Sequence, residues 1–241
     1  MAKGTVLDGL TGAIPTLIPQ LSIDCVIFGF HGNELKVLLS KFRDLELWAL
    51  HGGFIQQGED IDVAATRILS EHTNLTGIYL QQFQVFGKAD RKTFEYMEAF
   101  FKEMEVAPVI MDFFNRRFIS IGYYALVDFS KVNPTSAVLF ERSAWFDISE
   151  LPELAFDHRE IIEKALEQLR RSLDYQLVGF NLMPETFTMN ELQRLYETIL
   201  GETFLRTNFQ RKMLDMNILE RLDKKQLGKG GKSPYLYRFV R

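Results

Sequence analysis

A glycine-bearing loop from His51 to Glu59 opens onto a stretch, Asp60 to Thr73, in which Ile61, Ala64, Ala65, Ile68, Leu69 and His72 recur at helical spacing. Strand-like runs lie on both sides of it. Before the loop, Ser22 to Phe30 reads as a buried strand, His31-Gly32-Asn33 as a turn and Glu34 to Lys41 as the hairpin partner. After the helix come Ile78 to Phe86, Phe118 to Asp128 and Ala144 to Phe146. One helix set among strands of mixed spacing predicts an α+β fold, a sandwich that is mostly β with inserted helices.

The chain has 241 residues, 46% hydrophobic and 13% aromatic, enough apolar material for packed cores in one or two domains. Disordered, collagen-like and coiled-coil classes are thereby excluded. Apolar runs such as Ile119 to Val127 fall short of the roughly 18 residues that a membrane span needs. Met1 to Gln20 shows no basic flank leading into an apolar core and is read as a flexible leader, so the expected setting is cytoplasmic, with no membrane partner. The single cysteine, Cys25, lies in an apolar run and cannot form an internal disulfide, which suits a reducing compartment. No repeat or low-complexity segment is visible.

Charge divides the chain. Residues 1–183 hold 17 Lys+Arg against 25 Asp+Glu, a net of −8, whereas 184–241 hold 11 against 7, a net of +4; within 205–241 the balance is 10 to 3, or +7. Asp157 to Leu173 reads as an amphipathic helix with Ile161, Ile162, Ala165, Leu166 and Leu169 inward. Proline and glycine in Gly179 to Pro184 then interrupt the pattern where the charge changes sign, which puts a domain boundary near Leu182. Beyond it, Thr188 can cap a helix over Met189 to Leu200, supported by Glu191 or Gln193 and ended by Gly201. A second helix is expected over about Leu205 to Met216, with Phe209, Met213 and Met216 inward. Arg206, Thr207, Asn208, Gln210, Arg211 and Lys212 at its beginning suit a DNA groove, because arginine and lysine meet phosphate or guanine while asparagine and glutamine meet adenine. Two short strands, Ile218 to Leu222 and Tyr235 to Phe239, enclose a basic, glycine-rich tip with Lys229 and Lys232, the pattern of a wing.

The loop and helix carry a second signal. Gly53, Glu59 and Arg67 stand at the spacing of the box of the Nudix hydrolases, which the chain resembles here. The resemblance implies that helix carboxylates at i, i+3 and i+4 would hold magnesium against a diphosphate. The corresponding residues are Ile68, Glu71 and His72, so two of the three carboxylates are missing, and Asn74 stands where the box has its closing glycine. Glu59, Arg67 and Glu71 can equally hold the loop against the helix through charge-assisted hydrogen bonds. The expectation is a binding domain with no catalytic residues, no bound metal and no cofactor.

Taken from about Ser22 to Phe239, the chain resembles the Nudix-related transcriptional regulators. The resemblance rests on this box, on Phe86-Gly87-Lys88-Ala89-Asp90-Arg91, on Leu154-Ala155-Phe156-Asp157-His158, and on Phe187-Thr188 to Glu197 followed by Arg206 to Lys212. It implies a Nudix-like α/β/α sandwich over 21–182, a winged helix-turn-helix over 183–241, a homodimer, double-stranded operator DNA as partner and a small-molecule effector, either a sugar or an ADP-ribose-like compound. Overall similarity places the chain nearer the sugar-responsive, arabinose-regulator-like branch than the NAD-metabolism branch. The effector residues expected are Lys41, Arg43, Trp48, His51, Asp90, Arg91, Asp157 and His158. A departure is an aromatic insertion at about 92–115, where Phe94, Met97, Phe101 and Met104 share a helical face as a lid, a dimer contact or ordinary core. The alternative function is a hydrolase of nucleoside-diphosphate sugars such as ADP-ribose, with Glu59, Glu71 and His72 as ligands.

Overall fold

The computed structural model of the chain describes residues 11–31, 34–74, 76–91, 101, 106–128, 132, 140–173, 182–224 and 233–240. Strands β1 (Leu17–His31), β2 (Glu34–Phe42), β3 (Trp48–Ala49) and β4 (His51–Gln56) lead into helix α1 (Ile61–Thr73) and strand β5 (Leu80–Phe86). Helix α2 (Pro108–Phe114), strands β6 (Ile119–Asp128) and β7 (Phe140–Asp147) and helix α3 (His158–Ser172) complete the larger unit. Its sheet runs β3-β2-β1-β6-β5, with β4 added on β1 and β7 on β2.

The two-residue period of the strands divides the core between the faces. Val26, Phe28, Tyr124 and Leu126 pack with Ile161, Ile162, Ala165 and Leu169 of α3. Their neighbours Cys25, Ile27, Tyr123 and Ala125 pack with Ala64, Ala65, Ile68 and Leu69 of α1. Because β1 and β6 are parallel and in register, Cys25 beside Tyr123 and Val26 beside Tyr124, both faces stay continuous across the strands. The result is the α/β/α sandwich that the sequence led us to expect. Helix α1 ends where Asn74 takes a left-handed φ of 57°, the conformation for which asparagine best replaces glycine.

Two expectations are corrected. The segment from His51 to Gln56 is a strand: it pairs antiparallel with β1, Asp24 opposite Gly52 and Ile23 opposite Gly53. Its glycines signal close packing there, since a Cβ on Gly52 would stand 2.7 Å from the Ile23 carbonyl oxygen and 2.8 Å from Asp24 Oδ1. Of the leader expected over 1–20, residues 1–10 lie outside the described residues, 11–16 are helical, and β1 begins at Leu17, which is buried and paired with Gln56. In the aromatic insertion, Phe94, Met97 and Met104 lie outside the described residues; Phe101 is buried with Phe42, Leu47, Val106 and Ile110 as core.

The second unit has helices α4 (Met189–Leu200) and α5 (Arg206–Asp215) on a small sheet, in which β8 (Phe187–Thr188) and β9 (Leu219–Lys224) flank β10 (Tyr235–Phe239). Thr188 and Glu191 form a reciprocal capping box: the Thr188 hydroxyl accepts from the Glu191 amide at 3.2 Å, and the Glu191 carboxylate from the Thr188 amide at 2.6 Å. Gln193 serves elsewhere, donating to the Phe204 carbonyl at 2.9 Å and so setting the turn between the helices. Leu192, Leu195, Tyr196 and Ile199 of α4 enter the same apolar cluster as α3. Arg170 Nε donates to the Ile199 carbonyl at 2.8 Å, and Tyr196 Oη to that of Leu173 at 3.3 Å. Among the described residues no helix is long and apolar enough to cross a membrane.

Candidate functional site

A cavity of about 160 Å³ opens against β1 and β4. Phe42, Phe54, Phe114, Phe118, Phe140 and Phe156 wall it, while Asp24, Arg91 and His158 supply its polar side. Behind the wall Phe113 braces two of its rings edge to face, Phe54 at 5.1 Å and Phe118 at 5.2 Å. Phe101 packs at 5.2 Å from Phe114, so the insertion buttresses the cavity.

The polar side is a buried ion network. Arg91 donates from Nε to Asp157 Oδ2 at 2.8 Å, from Nη2 to Asp24 Oδ2 at 3.2 Å and from Nη1 to the Phe118 carbonyl at 3.2 Å. Ser120 donates to Asp24 Oδ2 at 2.5 Å, and the Leu50 amide donates to His158 Nδ1 at 3.0 Å. Such charge-assisted, multiply satisfied contacts orient the carboxylates. Asp157 Oδ1 is buried without a hydrogen-bond partner.

Of the eight effector residues expected, the structure brings together Arg91, Asp157 and His158. Arg43 does not line the cavity; its exposed Nη2 lies 3.5 Å from the carbonyl oxygen of the lining residue Phe140. Lys41 pairs with Glu46 at 2.6 Å, and Asp90 sits in an exposed turn. Trp48 is buried in the core, edge-on to Phe146 with Arg142 over its ring. His51 is fully buried away from the cavity, bonded to Ser40 at 2.9 Å. The residues that sequence reasoning missed are Asp24, Ser120 and the phenylalanine walls. The signal for Asp24 was present: a carboxylate between Ile23 and Cys25 in a strand that is otherwise apolar.

On the box helix, Arg67 donates to both Glu59 oxygens at 2.8 Å, to the Phe54 carbonyl at 3.0 Å and to Glu71 at 3.3 Å. These bonds hold the loop to the helix. Ile68 is 1% exposed and packs beneath Gly53, whose Cβ, if present, would lie 2.9 Å from Ile68 Cγ1. His72 is buried, its Nε2 3.2 Å from the Gly52 carbonyl oxygen and its ring 5.0 Å from that of His51. The three box positions therefore present no joint set of oxygen ligands, and among the described residues no cluster of His, Cys, Asp or Glu could hold a metal.

Burial, with His72 beside it, pulls His51 down to about 3, and burial also lowers His72 and His158. All three are neutral in the fold at pH 7 but protonate in the unfolded chain below about pH 6.5. The unfolded state then binds more protons, so stability is full above that pH and falls as acid is added. His51 alone should remove about 1.4 kcal/mol per pH unit on the way from 6.5 towards 3. Urea unfolding at pH 7 and pH 5 checks this; equal stabilities would mean that the buried histidines take up protons in place.

On the second unit, Arg206, Thr207, Asn208, Arg211 and Lys212 are exposed on α5, and Gln210 is half-buried. Phe209 and Met213 anchor the opposite face. At the base of the wing, Arg221 Cζ lies 3.4 Å and Lys224 Nζ 5.2 Å from the centroid of the Tyr235 ring, so both cations stand over one aromatic ring. Lys229 and Lys232 lie outside the described residues.

A sandwich with a cavity of about 160 Å³, sharing one apolar core with a basic winged helix, has the make-up of a DNA-binding protein with a second, cavity-bearing domain. The family profile described as NUDIX domain matches residues 18–165, and that described as NrtR DNA-binding winged helix domain matches 179–239. The chain belongs to the NUDIX domain family. It is 29% identical over 230 residues to the ADPR responsive transcriptional repressor NtrR of Acinetobacter baylyi, a match covering 92% of this chain and 82% of the relative. The crystal structure of Shewanella oneidensis NrtR complexed with a 27mer DNA is similar with a TM-score of 0.71 at 26% identity, over 92% of this chain and 94% of that one. A MutT/nudix family protein from Enterococcus faecalis shares the fold, with a TM-score of 0.66 at 20% identity over 99% of this chain and 95% of its own.

Proposed function

We propose that the chain is a DNA-binding transcriptional regulator whose Nudix domain, residues 17–182 with β1 included, binds an effector that controls the winged helix, residues 183–241. One observation carries this reading: α3 begins at the cavity, with Asp157 and His158, and its far end holds α4 through Leu169, Arg170 and Leu173. Fifteen residues at about 1.5 Å each make this a rod of roughly 22 Å between ligand and DNA-binding unit.

ADP-ribose is the first effector to test, given the relative that responds to ADPR. A cavity close to the ~150 Å³ that accommodates benzene takes one ring, with the rest of a nucleotide lying outside it. Arabinose is the second, for a specific reason. Arg91 is the one Lys or Arg among the described lining residues, and its charge is met by Asp24 and Asp157, which suits an uncharged ligand better than a phosphate. We read the domain as a binder and not a hydrolase, because Ile68 and His72 supply no carboxylate. Magnesium-dependent turnover of ADP-ribose above roughly 1 per second would reverse this.

The DNA contacts assigned are Arg206, Thr207, Asn208, Gln210, Arg211 and Lys212 on α5, with Lys229 and Lys232 on phosphates. A homodimer would present two such helices to half-sites about one turn, roughly 10 base pairs, or a multiple of it apart. Mobility-shift titration on the chain's own upstream region at stated salt, with and without each effector, tests the reading. Arg211→Ala or Asn208→Ala should cost about 1–3 kcal/mol on the operator and relax preference at one base position. Equal loss on operator and random DNA would mean that α5 positions the protein without reading sequence.

A further inference from the structure

Leu205 is 73% exposed, more than any other large hydrophobic side chain among the described residues, the next being Val63 at 56%. It is the N-cap of α5, where its carbonyl accepts from the Asn208 and Phe209 amides at 3.0 Å each, while its side chain makes no cap. That position ordinarily favours Ser, Thr, Asp or Asn, whose side chains would satisfy an amide of the first turn. Leucine here forgoes the cap, and by standing in solvent it forgoes burial as well.

Its neighbours say what would cover it. Arg206, Thr207 and Asn208 are exposed beside it, and the first turn of α5 carries no acidic residue that would repel phosphate. The N-terminal residues of a recognition helix are those that reach base edges in the major groove. Among the four bases only thymine displays a methyl group there, the one apolar feature of that surface. We propose that Leu205 reads a thymine methyl, giving the regulator a specificity contact that carries no charge and makes no hydrogen bond. This rests on the assignment of α5 as the DNA-reading helix.

The test uses the full chain and a duplex that it enriches from a random pool, with each thymine replaced in turn by deoxyuridine, which lacks only the methyl. The wild-type chain should lose about fourfold in affinity at one thymine of each half-site, the factor that one buried carbon carries. Leu205→Ala should bind the all-thymine duplex several-fold more weakly and be indifferent to deoxyuridine at that position, with an unchanged salt dependence because no phosphate contact is lost. Leu205→Met, which keeps the apolar reach, should restore sensitivity. The proposal is overturned if no thymine methyl matters to the wild type, if Leu205→Ala stays as sensitive, or if that variant loses selected and random DNA alike. A change of oligomeric state in place of methyl sensitivity would also overturn it and would assign the leucine to a protein contact. Failure of the wild type to enrich any duplex would overturn the DNA-binding reading itself, an outcome distinct from all of these.

Discussion

Replacing Arg91 by leucine is expected to remove about 3–5 kcal/mol of stability, the scale on which breaking one side of a buried ion pair acts. The guanidinium side chain is 4% exposed and lies between Asp24, 11% exposed, and Asp157, 19% exposed. Without it, two carboxylates face each other in a cavity walled by phenylalanine, where desolvation has no compensating charge. Adding Asp24→Asn to Arg91→Leu should recover part of the loss by removing one of the stranded charges. Arg91→Lys should fall between, since an ammonium keeps the charge but cannot span Asp24, Asp157 and the Phe118 carbonyl with its planar fork. Urea unfolding at pH 7 gives the values. A loss below about 1 kcal/mol for Arg91→Leu would place the network among solvated surface pairs.

Restoring the box carboxylate with Ile68→Glu is expected to damage the fold instead of creating a metal site. Ile68 is packed with Ala64, Ala65 and Leu69 beneath β4, at a distance from Gly53 that leaves no room for water. A glutamate there must lose its charge or draw solvent into the sandwich, and the cost is of order 3 kcal/mol or more. For a chain of this size that corresponds to a fall in Tm of roughly 6–12 °C. If the variant instead melts like the parent and gains magnesium-dependent turnover, the helix can turn this face to the cavity, and the hydrolase alternative regains its ground.

The two predictions, one on the cavity and one on the core beneath β4, differ in how far sequence could lead to them. Ile68 as a departure from the box spacing is visible in a row of letters, because the box is a local pattern on a single loop and helix. The apolar stripe already put Ile68 inward and the spacing already offered Glu71 to Arg67; what is not visible there is which backbone closes on that face, Gly53 over Ile68 and the Phe54 carbonyl on Arg67. His72, on the same stripe and a ligand only under the hydrolase alternative, is buried against the Gly52 carbonyl and the His51 ring, partners that no local pattern names.

What the sequence determined by itself was whatever acts over a few residues. The alternation of Cys25 and Ile27 with Val26 and Phe28, the stripe along α1, the Thr188–Glu191 box and the stop at Gly201 are short-range patterns, and each recurs in the structure, except that Ile61 at the start of the stripe is exposed. The change of charge sign near residue 184 likewise located the basic winged helix without any geometry. Tertiary structure alone decided the site. Asp24 meets Ser120 across 96 residues and Arg91 across 67, and Arg91 meets Asp157 across 66. Those meetings depend on β6 lying parallel beside β1 and on α3 crossing back over the sheet, a choice made by the packing of whole elements. Even β4 was hidden for this reason: its glycines look like a loop until the backbone of β1 and the side chain of Ile68 close on them from either side, and no window of neighbouring residues contains both.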